Sequence, residues 1–295
     1  MLNCTINNYF PINVTPRNIL INRFLLRLFV ISCFFFIKST QAAEEQGSFG
    51  LTNFAFAHYL GTGFYSTSGQ DVFVAQIPFS YTIKEKTNRE AGWVLNLPLT
   101  LGVINVDAID IDKIPDLNDV TTATFLPGIE YQYPVTHNWT VSPFADYGFA
   151  RDFNNTTNVL ITGIGVKSYY NIPFYSALIT LGNRFLYARE ESKNTSESSD
   201  YSLIETGINY RVASKYSPDN RQLYSNLYYI NFYYPDNLVL LERTENPIRV
   251  GVEHEVGITF SNMPDFLFFE KPELGVGVRF GNGLDVFRIV IGMPF

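Results

Sequence analysis

Cysteine runs out early in this chain of 295 residues. Cys4 and Cys33 are the only two, and both fall within the first 42 residues. Nothing downstream can therefore form a disulfide, a thiolate metal site or a thiol nucleophile. Histidine is nearly as scarce, with His58, His137 and His254 alone. Acidic residues are missing from positions 1–42 altogether, where Arg17, Arg23, Arg27 and Lys38 carry all the charge. Beyond residue 43 no apolar run approaches the roughly 20 residues that a membrane-spanning helix needs. Basic charge is also short there. Without those four residues, 17 basic stand against 28 acidic, a net charge near −11. Nucleic acid is excluded as a partner at that balance.

What the first 42 residues do contain is a basic flank, the apolar run Leu25 to Ile37, and the small-residue stretch Thr40-Gln41-Ala42 before Ala43-Glu44-Glu45. That order describes a secretory signal peptide cleaved after Ala42. Met1 to Leu20 is more than a signal needs, which points to a start codon further in. Val30-Ile31-Ser32-Cys33 loosely matches a lipidation motif, but Phe34 to Ile37 carries the apolar core past the cysteine. The expected organisation is a signal peptide over 1–42, a short segment over 43–51, and one domain over 52–295.

That domain is rich in aromatics, with 26 Phe and 19 Tyr in the chain. Its pattern has period two. Trp93, Leu95, Leu97, Leu99, Leu101 and Val103 alternate with Val94, Asn96, Pro98, Thr100 and Gly102, as in a strand with one apolar face. Twelve such segments are predicted: 52–60, 72–83, 92–104, 122–134, 138–150, 158–170, 174–188, 201–213, 223–235, 247–260, 273–280 and 284–295. Most exceed the five or six residues of a globular strand and reach the roughly 9–11 that a tilted membrane strand requires. Lipid offers no partner to an unpaired amide, so such a sheet must close. The predicted fold class is all-β: a closed antiparallel transmembrane barrel of twelve strands, with both termini on the periplasmic side of a bacterial outer membrane. Pro78, Pro98, Pro127 and Pro143 fall inside strands and call for bulges or kinks.

Polar faces then point inward. The lumen is expected to hold a charge network of Glu130, Asp146, Lys167, Arg184, Glu205, Arg211, Arg249, Glu253, Glu255, Glu273, Arg279 and Arg288. Ion pairs that stiffen the barrel are the first reading of these residues, and a selective pore lining the second. Inward glycines leave room for something against the wall, and Ala43 to Phe64 is a candidate plug. Phe287, Ile289, Ile291, Met293 and Phe295 fall on one lipid-facing register and form an assembly signal read by the barrel assembly machinery. Alternate connections fall outside, among them 105–121 and 189–200. Asp107, Asp110, Asp112, Asp116 and Asp119 make the first of these an acidic outer loop, solvated and bridged to lipopolysaccharide by divalent cations. Its spacing is not that of an EF-hand, and no metal or cofactor site is assigned. His254 lies on the lipid-facing register between Val252 and Val256 with no serine near it in sequence, so catalysis is not expected.

Two stretches, "GWVLNLPLTLGVI" (Gly92–Ile104) and "FLPGIEYQYPVTHNWTVSPFADYGFAR" (Phe125–Arg151), together with the last strands, resemble solitary autotransporter-type β-barrel proteins. The resemblance implies a barrel without a passenger domain and a location in the outer membrane among lipids and lipopolysaccharide. It implies no catalytic residues. The expected role is structural or surface-interacting, as a monomer. A narrow pore for small solutes is the alternative, and a lipid-modifying enzyme the second alternative.

Overall fold

The computed structural model describes residues 58–67, 70–104, 120–153, 157–193, 198–215, 221–240, 248–264, 272–281 and 284–295. His58 to Leu60 make one helical turn, and the other regular elements are strands. In chain order these are β1 (Gly63–Thr67), β2 (Gln70–Ile77), β3 (Ser80–Lys84), β4 (Gly92–Asn96), β5 (Leu99–Ile104), β6 (Thr122–Phe125), β7 (Gly128–Thr136) and β8 (Trp139–Asp152). They continue with β9 (Thr157–Phe174), β10 (Ala177–Ser192), β11 (Ser198–Ala213), β12 (Tyr224–Leu240), β13 (Ile248–Ser261), β14 (Leu274–Gly281) and β15 (Asp285–Ile291).

These fifteen segments make a closed antiparallel barrel of twelve staves. Three staves are each broken once, at Pro78-Phe79 between β2 and β3, at Leu97-Pro98 between β4 and β5, and at Leu126-Pro127 between β6 and β7. Proline has no amide hydrogen for the ladder, so each break falls where a rung is lost anyway. The three breaks lie side by side, because Ser80 pairs Asn96, Asn96 pairs Gly128, and Leu99 pairs both Ile77 and Phe125. Two backbone bonds bridge the line, Leu97 N–H to the Phe79 carbonyl at 2.8 Å and Tyr147 N–H to the Pro127 carbonyl at 2.9 Å. Pro143 differs. It sits inside an unbroken β8 opposite Val166, and the pairing of β8 with β7 skips Tyr131 and Gln132 and, nearer the turn, Val135.

Closure depends on a short first stave. β1 pairs β2 through Gly63↔Val74 and β15 through Gly63↔Arg288 to Ser66↔Asp285. Sequence placed this stave at 52–60. Residues 52–57 lie outside the described residues, and 58–60 is the helical turn instead. Gly61, at φ +87°, ends that turn in the left-handed region that favours glycine and aims the chain into β1.

Alternation assigns the two faces. In β11, Tyr201, Leu203, Glu205, Gly207 and Asn209 are buried, whereas Thr206, Ile208 and Tyr210 are exposed. Large apolar side chains cover the outer wall, with Ile164 at 53% exposure, Leu227 at 62% and Val278 at 50%. The connections gather at two ends. Tight turns Tyr175-Ser176 and His137-Asn138 share an end with the chain terminus, and β5 and β12 finish at the other, at Ile104 and Leu240. The acidic loop Asp107 to Asp119 lies outside the described residues. The expected loop 189–200 is mostly ladder, because Arg189, Glu190 and Glu191 pair Asp200, Ser199 and Ser198. Charged strand ends continue the hydrogen bonding past the apolar band.

A side chain at Gly63 meets the closing seam directly, since a Cβ there lies 2.7 Å from the Phe287 carbonyl oxygen. Gly63→Val is expected to destabilise the barrel by at least about 2 kcal/mol through overpacking. Urea-induced unfolding followed by circular dichroism checks this, and an unchanged midpoint would contradict the seam.

Candidate functional site in the barrel lumen

Inward positions of β12 to β15 bring opposite charges together. Glu253 and Glu255 rise from β13, Arg279 from β14 and Arg288 from β15. Arg279 donates Nε and Nη2 to Glu255 Oε2 at 3.0 and 2.9 Å, and its Nη1 stands 3.7 Å from Glu253 Oε2. Arg288 Nη1 donates to both oxygens of Glu255 at 3.0 and 3.1 Å. Tyr228 and Tyr234 donate their hydroxyls to Glu255 at 2.8 Å and Glu253 at 3.3 Å. The Arg279 guanidinium lies 3.7 Å from the centre of the Phe232 ring. Two carboxylates and two guanidinium groups balance, and both glutamates are wholly buried. Burial of this kind is tolerated because opposite charges are matched and each group keeps at least one hydrogen bond, although Glu253 Oε1 and Arg288 Nε have none.

A second group stands on β7 to β11. Lys167 donates to Glu130 at 2.8 Å, Gln132 donates to the same carboxylate at 3.0 Å, and Arg184 pairs Glu205 across one rung. Nearer the turns, Arg211 donates to Asn226 at 2.8 Å and reaches Glu273 at 3.4 Å, while Thr259 donates to Glu273 at 2.6 Å. Arg249 stays apart. The register of β12 against β13 slips between Tyr233 and Leu238, so Val250 is buried and Arg249 is exposed. Strict alternation from Glu253 would have put Arg249 inside, and the slip reverses it.

Two further pieces of chain enter the lumen. The turn His58–Leu60 is held by His58 Nδ1 against the Thr100 hydroxyl at 2.9 Å, and by Gln76 Nε2, which donates to the His58 carbonyl at 3.0 Å. Tyr59 donates to Asp146 at 2.7 Å and lies under Arg184. Burial, helped by the Arg184 charge, lowers the His58 pKa to about 3, so the imidazole stays neutral. Of the candidate plug Ala43 to Phe64, residues 58–62 lead into the wall from the luminal side, Gly63 and Phe64 belong to β1 in the wall itself, and 43–57 lie outside the described residues.

The other piece is the tail. Phe287 and Ile289 are exposed on the outer wall, Ile291 is half-buried, and Met293 is exposed beside the luminal cavity that it helps line. Alternation stops at Gly292, whose φ is +88° and whose N–H donates to the Glu273 carbonyl at 2.7 Å. The chain turns inward there. Phe295 leaves the outer face and sets its ring against Gly182 and Gly207, which are direct cross-strand partners. A Cβ at Gly182 would overlap the ring. Tyr169 donates to the Phe295 carbonyl at 2.8 Å, and Arg288 donates to that of Pro294 at 3.4 Å. A cavity of about 600 Å³ remains between these pieces and the wall, lined by Tyr59, Asp146, Lys167, Arg184, Arg288 and Phe295 among others.

Sequence reading missed Tyr59, Tyr169, Tyr228, Tyr234 and Thr100. Tyr169 sits two residues from Lys167 and Tyr228 two from Asn226, on the same inward faces of their strands, which is the signal that could have found them. Among the described residues no serine is hydrogen-bonded to a histidine. His254 Nδ1 meets Tyr229 Oη at 2.8 Å on the outer wall, and Ser168 Oγ accepts from Trp139 Nε1 at 2.9 Å. Among the described residues no group of three or more His, Asp or Glu is placed to hold a metal. No family model matches this sequence, and no curated protein matches it.

Arg279→Met leaves Glu253 and Glu255 buried with one guanidinium too few and is expected to cost about 3–5 kcal/mol. Arg189→Met, which removes a half-exposed partner of Glu191, should cost less than about 1 kcal/mol. Urea titration of both variants checks the contrast, and similar costs would contradict the buried network.

The His58 pKa is lower in the folded chain than in the unfolded one. The unfolded chain therefore binds the extra proton, and stability falls as pH drops from about 6.5 toward 3. His58→Gln should flatten the difference in thermal midpoint between pH 7 and pH 4 relative to the native chain. Parallel curves for the two proteins would overturn the burial of this ring.

Proposed function

We propose that this chain is an integral outer-membrane β-barrel with a filled lumen, acting as a structural or surface-interaction protein rather than an open conduit. The observation that carries this reading is the inversion of the usual protein. Charged groups such as Glu253, Glu255 and Arg279 are buried on the axis, and side chains such as Ile164, Leu227, Val256 and Phe287 are exposed on the wall. Water penalises that arrangement and hydrocarbon rewards it. Closure of the ladder supports it too, since β1 joins β15 to β2 and brings the sheet back on itself.

In this reading the signal peptide directs export, and the barrel assembly machinery inserts the chain. Both termini face the periplasm, so the connections at 105–119 and 241–247 face outward among lipids and lipopolysaccharide. The resemblance to autotransporter-type barrels without a passenger fits the same picture. The paired ions, the His58–Leu60 turn and Phe295 together occupy much of the channel. The remaining cavity of about 600 Å³ favours the second reading, a narrow pore for small solutes.

Two measurements test the proposal. The full chain expressed in a Gram-negative host should fractionate with the outer membrane and migrate differently before and after boiling. Reconstituted in a planar bilayer, it should be silent. Recovery in the soluble fraction sinks the membrane reading, and steady, salt-dependent steps would replace the filled barrel by the pore.

A further inference from the structure

The outer wall carries one interruption. Ser168 on β9, Asn183 on β10, Thr206 on β11, Asn231 on β12 and His254 on β13 are successive cross-strand partners, each paired with the next. All take outward positions. Each sits between apolar or aromatic neighbours on its own strand, as Asn183 does between Leu181 and Phe185, and Thr206 between Ile204 and Ile208. The row is bounded as well. Val141 is the partner of Ser168 on one side, and Phe280 the partner of His254 on the other.

Some of its hydrogen bonds are internal. Thr206 donates to Asn183 Oδ1 at 3.2 Å, Asn231 Nδ2 lies 3.3 Å from His254 Nδ1, and Trp139 covers Ser168. Among the described residues, the Asn183 amide nitrogen and the Asn231 amide oxygen have no partner. Hydrocarbon offers them none, and polar side chains in such a setting find their partners on another protein surface.

We infer that this row is the contact between two copies of the chain, related by a two-fold axis along the membrane normal and passing beside Thr206. The inference rests on the membrane reading above and departs from the expected monomer. The row carries no acid or lysine and offers donors and acceptors alike, which suits a surface meeting itself. Barrel strands tilt by about 35–45°, so the two rows cross rather than overlie. Thr206 stands at the crossing, and Asn183 of each copy lies nearest Asn231 of the other. Five staves at about 4.8 Å spacing span ~24 Å, and an apolar band is about 25 Å tall. The face is therefore roughly 600 Å² in projection, approaching the ~800 Å² per partner of a standard interface.

Cysteine cross-linking tests this in the full chain with Cys4 and Cys33 replaced by serine. Thr206→Cys and Ala75→Cys, the latter on the opposite wall, are reconstituted into phosphatidylethanolamine–phosphatidylglycerol vesicles and oxidised with copper phenanthroline. Thr206→Cys should give at least tenfold more cross-linked dimer than Ala75→Cys, independent of dilution in lipid. Adding Asn183→Leu with Asn231→Leu should lower that yield at least tenfold. Monomers at every lipid ratio, as for a row covered by lipid, overturn the inference. So do equal yields at the two cysteines, or a yield that the leucine pair leaves unchanged. Insertion without dimers removes this inference alone, whereas a chain that never inserts removes the membrane reading with it.

Discussion

The wall holds because five residues bridge its two ends. β1, from Gly63 to Thr67, hydrogen-bonds to β15 on one side and β2 on the other. Without it, eleven staves would form an open sheet with two bare edges, and the charges on its inner face would meet water. Closure is thus the condition for everything inside. The Arg279–Glu255 contact, the Lys167–Glu130 pair and the seating of Phe295 all exist in a space that the seam encloses. The smallest stave carries this burden because both neighbours are already held on their far sides, β15 by β14 and β2 by β5.

The lumen is filled by two kinds of matter with different physics. Paired ions occupy the axis of β12 to β15, where strong local attraction offsets loss of hydration. Apolar and aromatic groups fill the side under β8 to β11, where Phe295 and Tyr59 take space that glycines leave. The division follows the chain. Strands near the C terminus supply arginine and glutamate on their inner faces, whereas strands nearer the middle alternate glycine with single charges. A ring can lie against a glycine pair such as Gly182 and Gly207, whereas in the ion cluster the rings of Phe232, Tyr228 and Tyr234 serve the charges, one under the Arg279 guanidinium and two donating to the glutamates.

Much of this was legible in sequence because a barrel strand has one rule, alternation, repeated for a dozen residues. Where the rule held, as in β9 to β11, staves and facing could be read directly. It misled where the chain broke phase. Arg249 was assigned inward from Glu253 with no local mark of the slip beyond Tyr233. Phe295 continued the apolar register of Phe287 and Ile289 on paper, but Gly292 turns the backbone before it arrives. The first stave was placed too early because His58 to Leu60 looks extended in composition and is helical in fact. Tyr228 and Tyr234 were hidden by chemistry rather than phase, since a phenol serves either face equally well.

The three proline breaks have a mechanical meaning. β2, β5 and β6 form one panel of wall, and β3, β4 and β7 another, with Pro78, Pro98 and Pro127 along their common border. A pleated sheet resists bending across its strands because every rung must stretch. Where rungs are absent at one level on neighbouring staves, that resistance drops along a line, as card yields along a crease. The quarter of the circumference holding this crease is therefore the compliant part of an otherwise stiff tube. Its long unbroken staves, β9 to β12, lie on the other side and act as the rigid spine against which the creased panels can flex.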